Sequence, residues 1–228
     1  MSPSEPDRPA RRQFLGQAAK SLAIAGMATT LPAMEAGAAP SRMRRAAPWD
    51  MSWVEQLAGS KHKGVFDATM ITNGLALGHV DLYMRGYHDI YELDERDIRP
   101  VLVIRHEAVP MFLNDAFWQK YQLGQKLRIG DPVSGALAVR NPFAAPGSKP
   151  IDDWMTLQQL KARGVIILGC DKALRSVATL MAQSTNQAAD AVIAEARAAV
   201  VPSVTMMPSG IFAVMRAQEA GCAYIRST

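Results

Sequence analysis

Two short, uninterrupted apolar runs constrain this chain more than any other feature. Val101-Leu102-Val103-Ile104 follows Pro100, and Val165-Ile166-Ile167-Leu168 follows Gly164. In each, three of the four residues are β-branched and none is polar. A strand with one wet face alternates apolar with polar side chains. A strand buried on both faces does not, which is the mark of a parallel sheet covered by helices. Shorter signals of the same kind stand at Gly64-Val65-Phe66-Asp67, at 203–207 and at 222–225.

Between these runs the pattern is helical. In 72–87, Leu75, His79, Leu82 and Met84 fall near helical spacing, and Gly86 can end the helix. Asn114 to Tyr121 reads as a further helix. Asp152 or Asp153 can cap one whose face is Trp154, Leu157 and Leu160 and whose end is Gly164. Residues 173–199 are Ala-rich and helical, with a break near Ser184 to Asn186. Ser209 caps a last helix that Gly221 ends. Alternating β and α units with right-handed crossovers predict an α/β, flavodoxin-like three-layer sandwich with a mainly parallel five-stranded sheet. The domain is expected over 61–228. An irregular lead-in at 39–60 should pack on it through Trp49 and Trp53, and a loop inserted at 107–150 reads as a lid or an oligomer contact.

The N-terminus reads as a targeting segment. Arg11-Arg12-Gln13-Phe14-Leu15 has the form of a twin-arginine export motif. A modest apolar run from Ser21 to Leu31 follows, and Ala36-Gly37-Ala38 offers small residues to a signal peptidase. The run is about 11 residues long, where a membrane-spanning helix needs about 20. Residues 1–38 are therefore expected to be a cleaved signal peptide. The mature chain is expected to be periplasmic, with no membrane association after cleavage.

Net charge is +4, and setting aside the four basic and three acidic residues of 1–38 leaves +3. The excess is scattered apart from Arg42, Arg44 and Arg45, so no basic stripe points to nucleic acid. No CxxC, HxxxH, HExxH, GxGxxG or GxxxxGK[ST] spacing occurs, so neither a metal nor a cofactor is expected. Two cysteines make no disulfide framework.

In an open parallel sheet, ligands sit beyond the carboxyl ends of the strands. The residues there are Asp67, Thr69 and Asn73 after the first strand, and Arg105, His106 and Glu107 after the second. Gly169, Cys170 and Asp171 follow the third, and Pro208, Ser209 and Gly210 the fourth. Cys170 stands where a helix begins, near Lys172 and Arg175, a setting that favours a thiolate. The competing reading is a buried structural cysteine, since free Cys is among the most buried residue types. His106 is the candidate proton-transfer group; it also reads as a metal or haem ligand or a substrate contact, and a lone histidine after a strand is more often a structural residue. Asn73, Lys172, Arg175, Ser209 and Gly210 are candidate substrate contacts. Cys222, at the start of a strand, belongs to the opposite end of the sheet and reads as core.

The C-terminal part carries a resemblance. Leu160-Lys161-Ala162-Arg163-Gly164-Val165, apolar residues to Cys170, and then Ala173-Leu174 resemble a helix, strand and cysteine pattern of the DsrE/DsrF-like sulfur-relay family. Val204 to Gly210, Arg216 to Gly221 and Ala223-Tyr224-Ile225 look like that family's closing strand, helix and strand. The resemblance implies a flavodoxin-like fold, a homo- or hetero-oligomer, and sulfur carried as a persulfide at the position of Cys170. The export signal, the 107–150 insertion and Asp171-Lys172 after the cysteine depart from the family pattern. The expectation is a periplasmic sulfur carrier or sulfurtransferase, partnered by a small sulfur compound or a sulfur-carrier protein. The alternative is a non-catalytic small-molecule or haem binding protein using the same crevice.

Overall fold

A computed structural model describes residues 49–146 and 155–228. The twin-arginine segment, residues 39–48 of the lead-in and the candidate caps Asp152 and Asp153, with Trp154, lie outside the described residues. Five strands, β1 (His62–Ala68), β2 (Ile98–Ile104), β3 (Ile166–Cys170), β4 (Thr205–Met207) and β5 (Ala223–Arg226), form one sheet in the order β4-β3-β2-β1-β5. Every pairing is parallel, and helices cover both faces, as a flavodoxin-like sandwich requires.

The continuous apolar runs are explained by burial on both faces. Val101, Val103, Ile166 and Leu168 face one layer, together with Trp53, Leu57, Ala213 and Ala217. Leu102, Ile104 and Ile167 face the other, with Leu77, Val80, Leu174 and Ala178. Pro100, which has no N–H to give a ladder, falls where β2 is flanked by β1 alone, since the β3 pairing begins at Val101.

One face carries α1 (Leu75–Tyr91), α2 (Asp115–Tyr121), α3 (Leu123–Leu127), α4 (Leu157–Ala162), α5 (Asp171–Thr185) and α6 (Ala189–Ala198). The other carries α7 (Gly210–Glu219). The break expected near Ser184 to Asn186 falls between α5 and α6, with Asn186 left-handed at φ 53. Ser209 caps α7 by accepting from the Phe212 amide at 3.3 Å.

Four details differ from the sequence reading. First, α1 passes through Gly86 to Tyr91 and is closed by Glu92 as C-cap, whose φ is 54. Its buried face is Ala76, Leu77, Val80 and Met84, a helical phase that leaves Leu75 and Leu82 in solvent. Second, α4 is capped by Thr156, whose hydroxyl accepts from the Gln159 amide while the Gln159 side chain accepts from the Thr156 amide. Third, the lead-in forms a 3-10 helix at Ser52–Leu57 and buries Trp53 and Leu57. Fourth, 107–146 builds core instead of covering it: Phe112, Phe117, Trp118, Tyr121 and Phe143 are fully buried. Asn141 staples this stretch, donating to the carbonyls of Met111 and Leu113 at 2.9 and 2.6 Å and accepting from the Phe143 amide at 2.9 Å.

Candidate functional site

The connections leaving β1, β2 and β3 cover one face, and the connection leaving β4 through α7 covers the other. The chain therefore parts at the carboxyl ends of β3 and β4, the kind of switch point at which open α/β sheets hold ligands. A cleft of ≈ 610 Å³ lies there. Arg105, His106, Cys170, Lys172, Ser209 and Gly210 line it, and Met70, Val177, Leu180 and Ile211 give it an apolar wall.

Cys170 is both the last residue of β3 and the N-cap of α5. Its Sγ accepts from the Ala173 amide at 3.3 Å, the place an N-cap oxygen normally takes. The residue is 6% exposed, and that small surface opens on the cleft. The strand approaches closely just before it. A Cβ on Gly169 would meet Met206 Sδ at 2.7 Å and Val204 Cγ1 at 2.9 Å, so any larger residue forces these side chains to shift. The neighbouring Asp171 carboxylate is engaged by Arg197 at 2.9 Å on both oxygens. That bidentate pair ties α6 to the start of α5 and offsets a negative charge close to the sulfur.

His106 sits at the cleft in the left-handed region, φ 51, at the start of the 3-10 helix His106–Phe112. Backbone pairing sets this bend: Arg105 N donates to Ala68 O and Glu107 N to Thr69 O, each at 3.0 Å. A non-glycine residue held in such a conformation costs on the order of 1 kcal/mol or more, a strain that tends to persist at functional sites. The imidazole itself is exposed, with no hydrogen bond among the described residues.

The sequence candidates are only partly brought together. Cys170, His106, Lys172, Ser209 and Gly210 share the cleft. Asn73 (φ 51) lines an adjoining cavity of ≈ 440 Å³, which has Met70, Glu107, Val177 and Leu180 in common with the first. Arg175 is exposed on α5 and lines neither cavity. Cys222 belongs to the core layer of α7, where burial pushes its thiol up against the pull of Lys63.

The sequence did not single out Arg105 itself. Its Nε and Nη2 donate to the two oxygens of Asp67 at 2.7 and 2.8 Å, and Tyr224 Oη donates to Asp67 Oδ2 at 3.0 Å. Asp67 is 3% exposed. The hydrogen bond to Asp67 holds the guanidinium above its ordinary range despite burial, with further support from the Asp67 charge. Burial, then the carboxylate beside it, raises the Tyr224 phenol. The only sequence signal was position: Asp67 and Arg105 end adjacent strands, and Tyr224 lies on the strand at the other side of β1.

No protein-family model and no curated protein matches the chain. Among solved structures, it aligns with a protein of unknown function, MTH1491, from Methanobacterium thermoautotrophicum. Identity is 16%, the alignment covers 72% of this chain and 98% of that one, and the TM-score is 0.36. A likeness of that size carries no functional inference.

Proposed function

We propose that the chain is a periplasmic sulfur-handling protein that accepts sulfane sulfur on Cys170. The observation that carries this reading is the Cys170 sulfur at the head of a 15-residue helix, accepting a backbone amide hydrogen while facing an open cleft. Helix amides favour negative sulfur, and a thiolate is the nucleophile in sulfur exchange. In the reaction, the Cys170 thiolate attacks the outer sulfur of a donor. One S–S bond forms, the donor's bond to that sulfur breaks, and its electron pair leaves with the donor remnant. No external oxidant is needed. His106, exposed at the same cleft, takes the thiol proton, and Lys172 faces the resulting persulfide anion. The DsrE/DsrF-like pattern around Cys170 supports the same chemistry. The twin-arginine motif supports the compartment, and a reporter fused after residue 45 tests it by requiring Arg11 and Arg12 for export.

Mass spectrometry of the folded protein after exposure to polysulfide or thiosulfate tests the chemistry. The Cys170 peptide gains the mass of one or more sulfur atoms, and the Cys170→Ser variant gains none. A wild-type protein that gains no sulfur sinks the reading. The apolar wall of Met70, Val177, Leu180 and Ile211 favours a second reading, a non-catalytic binder of a small apolar molecule or of haem through His106. Absence of a Soret band in protein purified from its own compartment removes the haem version.

A further inference from the structure

A guanidinium carries five N–H donors in a planar fork. Arg105 spends one from Nε and one from Nη2 on Asp67, which leaves the Nη1/Nη2 end edge with no hydrogen bond among the described residues. The group is held from two sides, by Asp67 at its head and by Gly210 along its stem. Asp67 is itself buried and fixed by Tyr224. The Arg105 stem runs against Gly210, where an added Cβ would meet Arg105 Cβ at 2.7 Å and Cδ at 2.8 Å, so the start of α7 leaves it a channel only a glycine can provide. The free edge belongs to a residue that lines the same cleft as Cys170. A rigid fork with one edge unspent is the arrangement that takes an oxyanion in bidentate fashion.

We propose that Arg105 is the oxyanion-binding residue of the cleft, and that the sulfur donor it selects is a small anion of the thiosulfonate class, a sulfane sulfur bonded to an oxidised, oxygen-bearing sulfur. The donor class rests on the sulfur-accepting role of Cys170. With thiosulfate, the Cys170 thiolate attacks the outer sulfur and the new S–S bond gives the Cys170 persulfide anion. The donor's S–S bond breaks, and its electron pair departs with sulfite. Three negative charges enter and three leave. Arg105 holds the oxygen-bearing end, where charge grows as the bond breaks, and a fixed cation there stabilises the leaving group. Asp67 and Tyr224 are positioning residues for that guanidinium.

The test uses a pair of alkylating agents alike in shape and different in charge. Rates of Cys170 modification by iodoacetate and by iodoacetamide are measured on the full folded protein, with peptide mapping to separate Cys222. The Asp67→Asn/Arg105→Gln double variant removes both charges and so strands neither. Its iodoacetate-to-iodoacetamide ratio falls about ten- to a hundredfold below wild type, the effect of losing a charged hydrogen bond. If the double variant fails to fold, the wild-type protein still answers: methanesulfonate, an unreactive oxyanion, slows modification of Cys170 by neutral iodoacetamide. An unchanged ratio in a folded variant, or no protection by methanesulfonate, overturns the proposal. Loading of Cys170 by polysulfide but not by thiosulfate overturns the donor class and leaves the sulfur function standing. Loading by neither removes both.

Discussion

Replacing Arg105 alone by Gln strands a carboxylate. The Asp67 side chain is 4% exposed and the Arg105 side chain 18%, so the acid has almost no water to turn to and the base has some. Breaking a buried ion pair by removing one partner costs about 3–5 kcal/mol. The hydrogen bond from Tyr224 persists and keeps the loss near the lower end, about 3 kcal/mol. For a domain of this size each kcal/mol shifts Tm by roughly 2–4 °C, so Arg105→Gln melts roughly 6–12 °C below wild type. Asp67→Asn costs less, because the guanidinium it releases keeps a solvated edge. The double variant recovers most of the loss, because two neutral amides replace two charges. Urea unfolding of the four proteins closes the thermodynamic cycle. An Arg105→Gln protein within about 1 kcal/mol of wild type, or a double variant as unstable as that single one, refutes the claim that Asp67 and Arg105 form one buried unit.

Trp53 belongs to the core layer between the sheet and α7, but its buried indole N–H has no hydrogen-bond partner among the described residues. Trp53→Phe therefore costs less than about 1.5 kcal/mol and Trp53→Ala about 3–5 kcal/mol by denaturant unfolding. Burial pushes the Glu195 carboxyl up, and the hydrogen bonds from Lys120 at 2.6 Å and Tyr121 at 2.8 Å outweigh it, leaving the group below its ordinary value of 4.5. A carboxyl depressed in the folded state adds stability above its unfolded value and loses it as pH falls through the folded one. The gap between wild type and Glu195→Gln is therefore present near pH 7 and shrinks as pH is lowered below the ordinary carboxyl value of 4.5, read in melts across that range. Gly169→Ala pushes β3 against Met206 and Val204 and costs about 1–3 kcal/mol, read as a lowered Tm.

The strands were legible because a parallel strand buried on both faces cannot alternate, and its sequence shows it. The junctions were legible for a similar reason: Ser209 and the break before Asn186 are local chemistry acting on the neighbouring backbone. The phase of α1 was not. Leu75 and Leu82 outweigh Ala76 by eye, yet small Ala76 with Leu77 and Val80 faces the sheet. The stretch 107–146 hid its core role because short elements held by one side chain, Asn141, carry no period. At the site, Cys170 could be placed from a strand passing into a helix. Asp67 and Arg105 could be placed at the same edge in the same way, but their pairing with each other and with Tyr224 could not, because the three meet only through the strand order β2-β1-β5, which no local pattern encodes. Arg175 shows the reverse error: near Cys170 in sequence, it lies on the exposed face of α5.

Cys170 and Cys222 are each 6% exposed, so accessibility alone does not tell them apart. Their surroundings do, since one borders a cleft and the other is enclosed by core with its thiol pushed up by burial. Pulse alkylation of the native protein by iodoacetamide near neutral pH, followed by peptide mapping, compares them in one molecule. The account predicts that Cys170 is modified while Cys222 stays protected until the protein unfolds. Equal protection of both thiols in the folded state would contradict it.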